Sequence, residues 1–305
     1  MTAPISKVPA RTHGPSDSQV VARSLTTDVG VPPRDTPAPR TQSKLPTFVQ
    51  GRVLARRYFV DEVFETTHDS TFLRAHDLEL ERVVLVRLLP RAEAPELIPE
   101  RGHGWFRRLD HPLSGAGILG TLGVGVLTGG WPLLVCQYWR GRSLEAFLRS
   151  GEAPNVLRIV QIARQVALAL EEAHQLGHVH GTLAPHDIWL SRQPDGAERA
   201  MILGFAPGQS AEVNAELVAR DLEAFADLLG LMVASLVPLY RLSARRANLE
   251  GARESGSITV IAGPLARVAA RCQGTIPGRR YRSAADVANV LERVEGIAIR
   301  LHAQQ

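Results

Sequence analysis

The feature that most limits the folds open to this chain is a change of period. From Tyr58 to Trp139 the apolar residues come in short β-rich runs, and from Ser143 onward they recur at helical spacing. Strands first and helices afterwards make an α+β protein whose two kinds of element are segregated. Tyr58 to Phe64, Thr71 to His76 and Arg82 to Leu89 read as three antiparallel strands between polar turns. The glycine-rich "SGAGILGTLGVGVLTGGWPLLVCQYW" reads as two more, joined at Gly129-Gly130. Between these groups, residues 91–110 hold at most one poor helix, broken by Pro95, Pro99, Gly102 and Gly104. Then "VLRIVQIARQVALALEEAHQ", Val156 to Gln175, places a broad apolar face on a predicted central helix. "DIWLSRQPDGAERAMILGFA" predicts a hairpin turning at Asp195-Gly196. Helical patterns over Asp221 to Val237 and Ala284 to Ile299 close the chain. The expected order is a five-stranded lobe, a cleft and a mostly helical lobe.

Residues 1 to 47 are rich in Pro, Ser, Thr and Arg, with "VPPRDTPAPRTQ" as the extreme, and such a stretch is expected to stay disordered because burial cannot offset its ordering entropy. The remaining residues suffice for a sizeable core in a chain that is 45% apolar. The longest apolar runs, such as "LLGLMVASLVPL", are too short to span a bilayer. Lys7 and Arg11 are followed by no apolar signal region, so a cytoplasmic protein is expected. Cys136 and Cys272, the two cysteines, stand far apart in apolar settings, as reduced structural thiols do. The ten histidines include no H-E-x-x-H spacing, so no metal site is predicted. The formal charge of +4 is spread along the chain and aromatic residues make up 5%, which argues against nucleic-acid binding. Lys7 and Lys44 are the only lysines. From Phe48 onward every basic group other than histidine is a guanidinium.

The stretch "HVHGTLAPHDIWL", His178 to Leu190, is similar to the catalytic-loop signature H-R-D-L-K-P-x-N-I of protein kinases. Further segments agree in order. "RYFVDEVFETTHDSTFLRAHD" resembles the family's first two strands, "LERVVLVRLL" its third, "LDHP" the segment after helix C, and "LLVCQYWRGRSL" the hinge. "MILGFA" resembles the strand before the D-F-G motif, and Asp221 to Ala226 the helix F signature. The resemblance, to bacterial Ser/Thr kinases, runs from about Arg52 to Glu295. It implies an α+β, two-lobed protein-kinase-like fold with a small antiparallel β N-lobe at 48–138. A mostly helical C-lobe with a shortened activation segment follows at 139–305.

The family's chemistry needs a glycine loop over the phosphates, a strand lysine, a catalytic aspartate, and Asp and Asn ligands for magnesium. On the matching positions the loop glycines become Glu65, Thr67 and Ser70, and the lysine becomes Arg87, whose planar fork is no equivalent of an ammonium. Thr182 stands for the catalytic aspartate, Ala184 for the loop lysine, Asp187 for the asparagine and Gly204 for the aspartate of D-F-G. The helix C glutamate falls near Gly102, with Glu100 beside it. The adenine site is lined by Phe72 and Leu85 above and Trp189 below, with Gln137 and Trp139 at the hinge, and the first three are bulky enough to fill it. His180 and Phe205 match the buried regulatory spine, Asp221 the helix F aspartate, and Arg280 the late arginine, for which no A-P-E glutamate is found.

These replacements lead to the expectation of a pseudokinase: no catalysis, no cofactor, and a signalling role as a scaffold or regulatory binding protein. A protein partner is expected, such as an active kinase, or a phosphothreonine-binding module reading Thr26, Thr27, Thr36 or Thr41. The alternative is an atypical kinase-fold, nucleotide-dependent transferase or a weakly active Ser/Thr protein kinase, using ATP and magnesium.

Overall fold

A computed structural model describes residues 50–66, 70–90, 105–109, 113–152, 154–205, 213–236, 249–276 and 278–303. The chain divides into residues 1–41 and 42–305, and all described residues belong to the second unit. The expected tail, Glu100, Gly102 and most of the "LDHP" segment lie outside them.

The strand-rich half builds a seven-stranded antiparallel sheet in the order β1-β2-β3-β4-β7-β6-β5. Its strands are β1 (Val53–Leu54), β2 (Tyr58–Thr66), β3 (Thr71–Asp77), β4 (Arg82–Leu88), β5 (Trp105–Arg108), β6 (Thr121–Val126) and β7 (Pro132–Gln137). The five strands expected from the sequence are all present, and two more extend the sheet at its edges. The correction at β5 falls in the stretch read as a broken helix: Trp105–Arg108 pairs with Val126 to Gly123. Four residues are too few to show a period, and pairing to a formed sheet supplies the backbone partners that local propensity does not.

The second half begins with β8 (Gly141–Ser143), which pairs with β9 (Ile188–Arg192) and, through it, β10 (Glu198–Ile202). The β9–β10 turn closes where Asp195-Gly196 was expected to turn, with Gln193 N donating to Ala197 O over 2.7 Å. Among the described residues five helices are present: α1 (Leu144–Arg149), α2 (Val156–Gln175), α3 (Ala215–Ala234), α4 (Leu249–Cys272) and α5 (Ala284–His302). Four have side-chain N-caps, at Ser143, Asn155, Asn214 and Ser283. Helix α2 has the bounds read from its apolar face. Helix α4 was missed, because Gly251, Gly256, Gly263 and Pro264 interrupt the pattern and packing of Ile261, Leu265 and Val268 overrides them.

Three apolar clusters hold these layers. One backs the large sheet through Val60, Leu73, Val86 and Leu133, and one joins α2 to α3, α4 and α5. The third spans both halves, gathering Phe72, Leu85, Leu134 and Cys136 from the sheet with Trp189, Met201 and Leu203 from below. This is the two-lobed α+β arrangement expected, with a small antiparallel lobe over a mostly helical one. Cys136 and Cys272 are free, buried thiols, whose pKa values burial pushes up to about 11 and about 12. No helix among the described residues is long and apolar enough to cross a membrane.

Candidate functional site

The third cluster lies where the lobes meet, and there the structure brings most of the singled-out residues together. Phe72 on β3, Leu85 on β4 and Trp189 on β9 are fully buried. The Phe72 and Trp189 rings meet at 5.2 Å between centroids, and Phe64, which the sequence reading passed over, adds an edge contact to Trp189 at 5.7 Å. Trp189 Nε1 donates to Trp139 O over 2.9 Å, so the indole is tied to the hinge as well as packed. Gln137 is exposed at the end of β7, and Ser70 is buried at the start of β3. Thr67 lies outside the described residues.

Beside this aromatic contact is a buried ion pair. Arg87 Nη1 lies 2.7 Å from Asp187 Oδ1, with both side chains no more than 5% exposed. The second oxygen of Asp187 accepts from Ala184 N over 2.9 Å, holding the Pro185–Asp187 turn. Burial pushes the Asp187 carboxyl up, but the Arg87 guanidinium and the His180 and His186 rings outweigh it and hold it below its ordinary range. Space for the pair comes from Gly204: a Cβ there would sit 3.2 Å from Arg87 Nη1 and 3.3 Å from Asp187 Oδ1. Gly204, expected from the sequence to stand for the D-F-G aspartate, therefore leaves room for the Arg87 guanidinium.

Around the pair, Asp221 on α3 accepts from the backbone N–H groups of His180 and Gly181, at 2.9 and 2.6 Å, and meets His174 Nε2 at 2.7 Å. Burial pushes the Asp221 carboxyl up and these donors pull it below the ordinary range. His180 and Phe205 stack edge to face at 5.1 Å. Thr182 is exposed. Arg280 pairs with Glu223 of α3 in place of an A-P-E glutamate.

At the phosphate-loop end, the Glu65 carboxylate accepts from Ser143 N over 2.9 Å and from the Ser143 hydroxyl, while Ser143 Oγ accepts from Ala146 N as the α1 cap. The carboxylate thus engages the C-lobe. Two partnerships, Arg87 with Asp187 and Glu65 with Ser143, escape the sequence reading, since each joins residues more than seventy apart.

Magnesium does not fit the residues present. Gly204 offers no ligand, both Asp187 oxygens have donors, and no three His, Cys, Asp or Glu side chains among the described residues could hold a metal.

No protein-family model matches the chain. The serine/threonine-protein kinase pkn3 of Myxococcus xanthus is 27% identical over 162 residues, 51% of this chain and 28% of pkn3. A probable serine/threonine-protein kinase of Clostridium acetobutylicum is 27% identical over 146 residues, 46% of this chain and 21% of the relative. Among solved structures, a doubly substituted kinase domain of Mycobacterium tuberculosis PknI covers 82% of this chain and all of its own at 19% identity, with a TM-score of 0.56. The chain has the protein-kinase fold and is similar in sequence to bacterial Ser/Thr protein kinases. It spans about a quarter of the length of the curated relatives it matches. Those relatives correct the expectation of a non-enzyme: they are named as Ser/Thr protein kinases, and position-by-position loss of signature residues does not outweigh that kinship.

Proposed function

We propose that the chain is an atypical kinase-fold transferase, slow and nucleotide-dependent, acting on a protein Ser or Thr hydroxyl. The observation that carries this reading is the buried Arg87–Asp187 pair at the transfer end of the cleft. Taking two charges out of water costs several kcal/mol per ion, and apolar side chains of similar size would hold two lobes together at least as well. A charged couple kept in that position supports a chemical role over a packing role.

Arg87 supplies a permanent cation for a phosphate, with the planar fork suited to two phosphoryl oxygens. Phosphoryl transfer asks little covalent chemistry of the protein, because its transition state is loose and catalysis is positioning plus charge stabilisation. The γ-phosphoryl group passes from the nucleoside triphosphate to the substrate oxygen, the diphosphate leaves, and the hydroxyl proton departs to water or phosphate oxygen because Thr182 is no base. No step is routed through a metal. The Phe72–Trp189 contact has to part before a purine enters, so nucleotide affinity falls by the fraction of molecules that are open. The similarity to Ser/Thr protein kinases supports the Ser/Thr class of substrate.

Incubation with γ-labelled ATP and a Ser/Thr-rich protein tests this. Slow incorporation lost in both Arg87→Met and Asp187→Asn is expected. Incorporation no higher than in Arg87→Met removes the proposal.

A further inference from the structure

In the helical half, α4, α5 and the residues Ile276, Arg279 and Tyr281 line an open cavity of about 250 Å³. Its lining is apolar at Val268 and Val290 and cationic at Arg267, Arg271 and Arg279, with no carboxylate among the lining residues. Arg267 and Arg271 are four residues apart on α4, a spacing at which like charges repel, and Arg279 adds a third positive group. Several arginines elsewhere pair with carboxylates: Arg57 with Asp77, Arg142 with Glu152, Arg158 with Glu198 and Arg280 with Glu223. Among the described residues, Arg267 and Arg279 have no such side-chain partner.

One of the three cations is also held in place. Arg271 Nε donates to Arg279 O over 2.7 Å, and its guanidinium lies 4.0 Å from the centroid of the buried Tyr281 ring. Its plane is set before any ligand arrives, which lowers the entropy lost on binding.

From this geometry we infer that the cavity binds the phosphorylated Ser or Thr side chain of a peptide. Three guanidinium groups match a dianion with three acceptor oxygens. The apolar wall suits the aliphatic part of such a side chain and its neighbours. The cavity is smaller than the roughly 300–1,000 Å³ of sites that enclose drug-sized ligands, so it takes one modified side chain in preference to a nucleotide. This inference does not depend on the activity proposed for the cleft.

The test titrates the full chain with a fluorescent peptide carrying phosphothreonine between valine and leucine. Saturable binding is expected, about tenfold or more tighter than for the unphosphorylated peptide, and weakened about tenfold or more in Arg267→Gln and in Arg279→Gln, with each melting temperature unchanged. Both positions are exposed, so the fold tolerates the changes. Equal binding of the unphosphorylated peptide, or variants that bind like the parent, overturns the inference. So does competition by inorganic phosphate at the peptide's own concentration, which assigns the cavity to free phosphate. Tighter binding of a mixed-sequence RNA or of anionic vesicles overturns it as well.

Discussion

The Glu65 carboxylate accepts two hydrogen bonds from Ser143, the residue that caps α1, and so ties the end of β2 to the lower lobe. Burial pushes the Glu65 pKa above its ordinary value, even with Ser143 donating to it. A carboxyl whose pKa is raised on folding favours the folded state when protonated. That contribution is complete below about pH 4, the unfolded value, and is lost as pH rises through the raised one. Glu65→Gln keeps an acceptor without the charge. Urea unfolding should therefore show a flatter dependence on pH above about 4 for the variant, and at pH 7 a stability at least equal to the parent's. A variant weaker than the parent at pH 7, with an unchanged pH profile, would show that the ionised form is the one the fold prefers.

Arg87 and Asp187 predict the opposite pH dependence. The Asp187 carboxyl is held below its ordinary range, so its contribution is complete above about pH 4 and disappears as pH falls through the lowered pKa. Asp187→Asn leaves a buried guanidinium unpaired and should cost about 3–5 kcal/mol in denaturant unfolding. Arg87→Met with Asp187→Leu removes both charges and should recover most of that loss, short of about 1 kcal/mol for the stranded Ala184 N–H. A double variant as unstable as the single one would mean that the pair contributes net stability.

The sequence carried the fold further than it carried the site. Helix α2 and the β9–β10 hairpin were legible because twenty residues of regular spacing and an Asp-Gly turn are local signals. Helix α4 and strand β5 were not, because tertiary packing and sheet pairing decided them against weak local preference. In the site, the bulk of Phe72, Leu85 and Trp189 could be read, since it depends on residue type alone. The partner of Arg87 could not, since it depends on side-chain reach across the cleft and on the space left by Gly204.

Trp189 supplies a stability and a binding prediction together. Trp189→Ala removes the contacts with Phe72 and Phe64 and the bond to Trp139 O, and should cost about 3–5 kcal/mol. It also opens the space expected from the sequence to take adenine. At millimolar ATP the melting temperature of the variant should rise more than the parent's, because a ligand that binds only the folded state stabilises it in proportion to site occupancy. Equal responses would show that the ring contact does not gate the nucleotide.

Gly204 has φ +96°, a conformation that costs a residue with a Cβ about 1–3 kcal/mol. Gly181, at φ +81° with nothing within 4 Å of its would-be Cβ, shares the backbone strain without the crowding. Gly181→Ala therefore measures strain alone, and Gly204→Ala measures strain plus displacement of the Arg87–Asp187 pair. The second should be the more destabilising in chemical unfolding and should also abolish phosphate transfer, whereas the first leaves transfer in place. When Arg87 and Asp187 are first changed to Met and Leu, the crowded ion pair is gone, and Gly204→Ala should cost little more than Gly181→Ala. If its larger penalty persists in that background, the glycine is required by the chain's path and not by the ion pair.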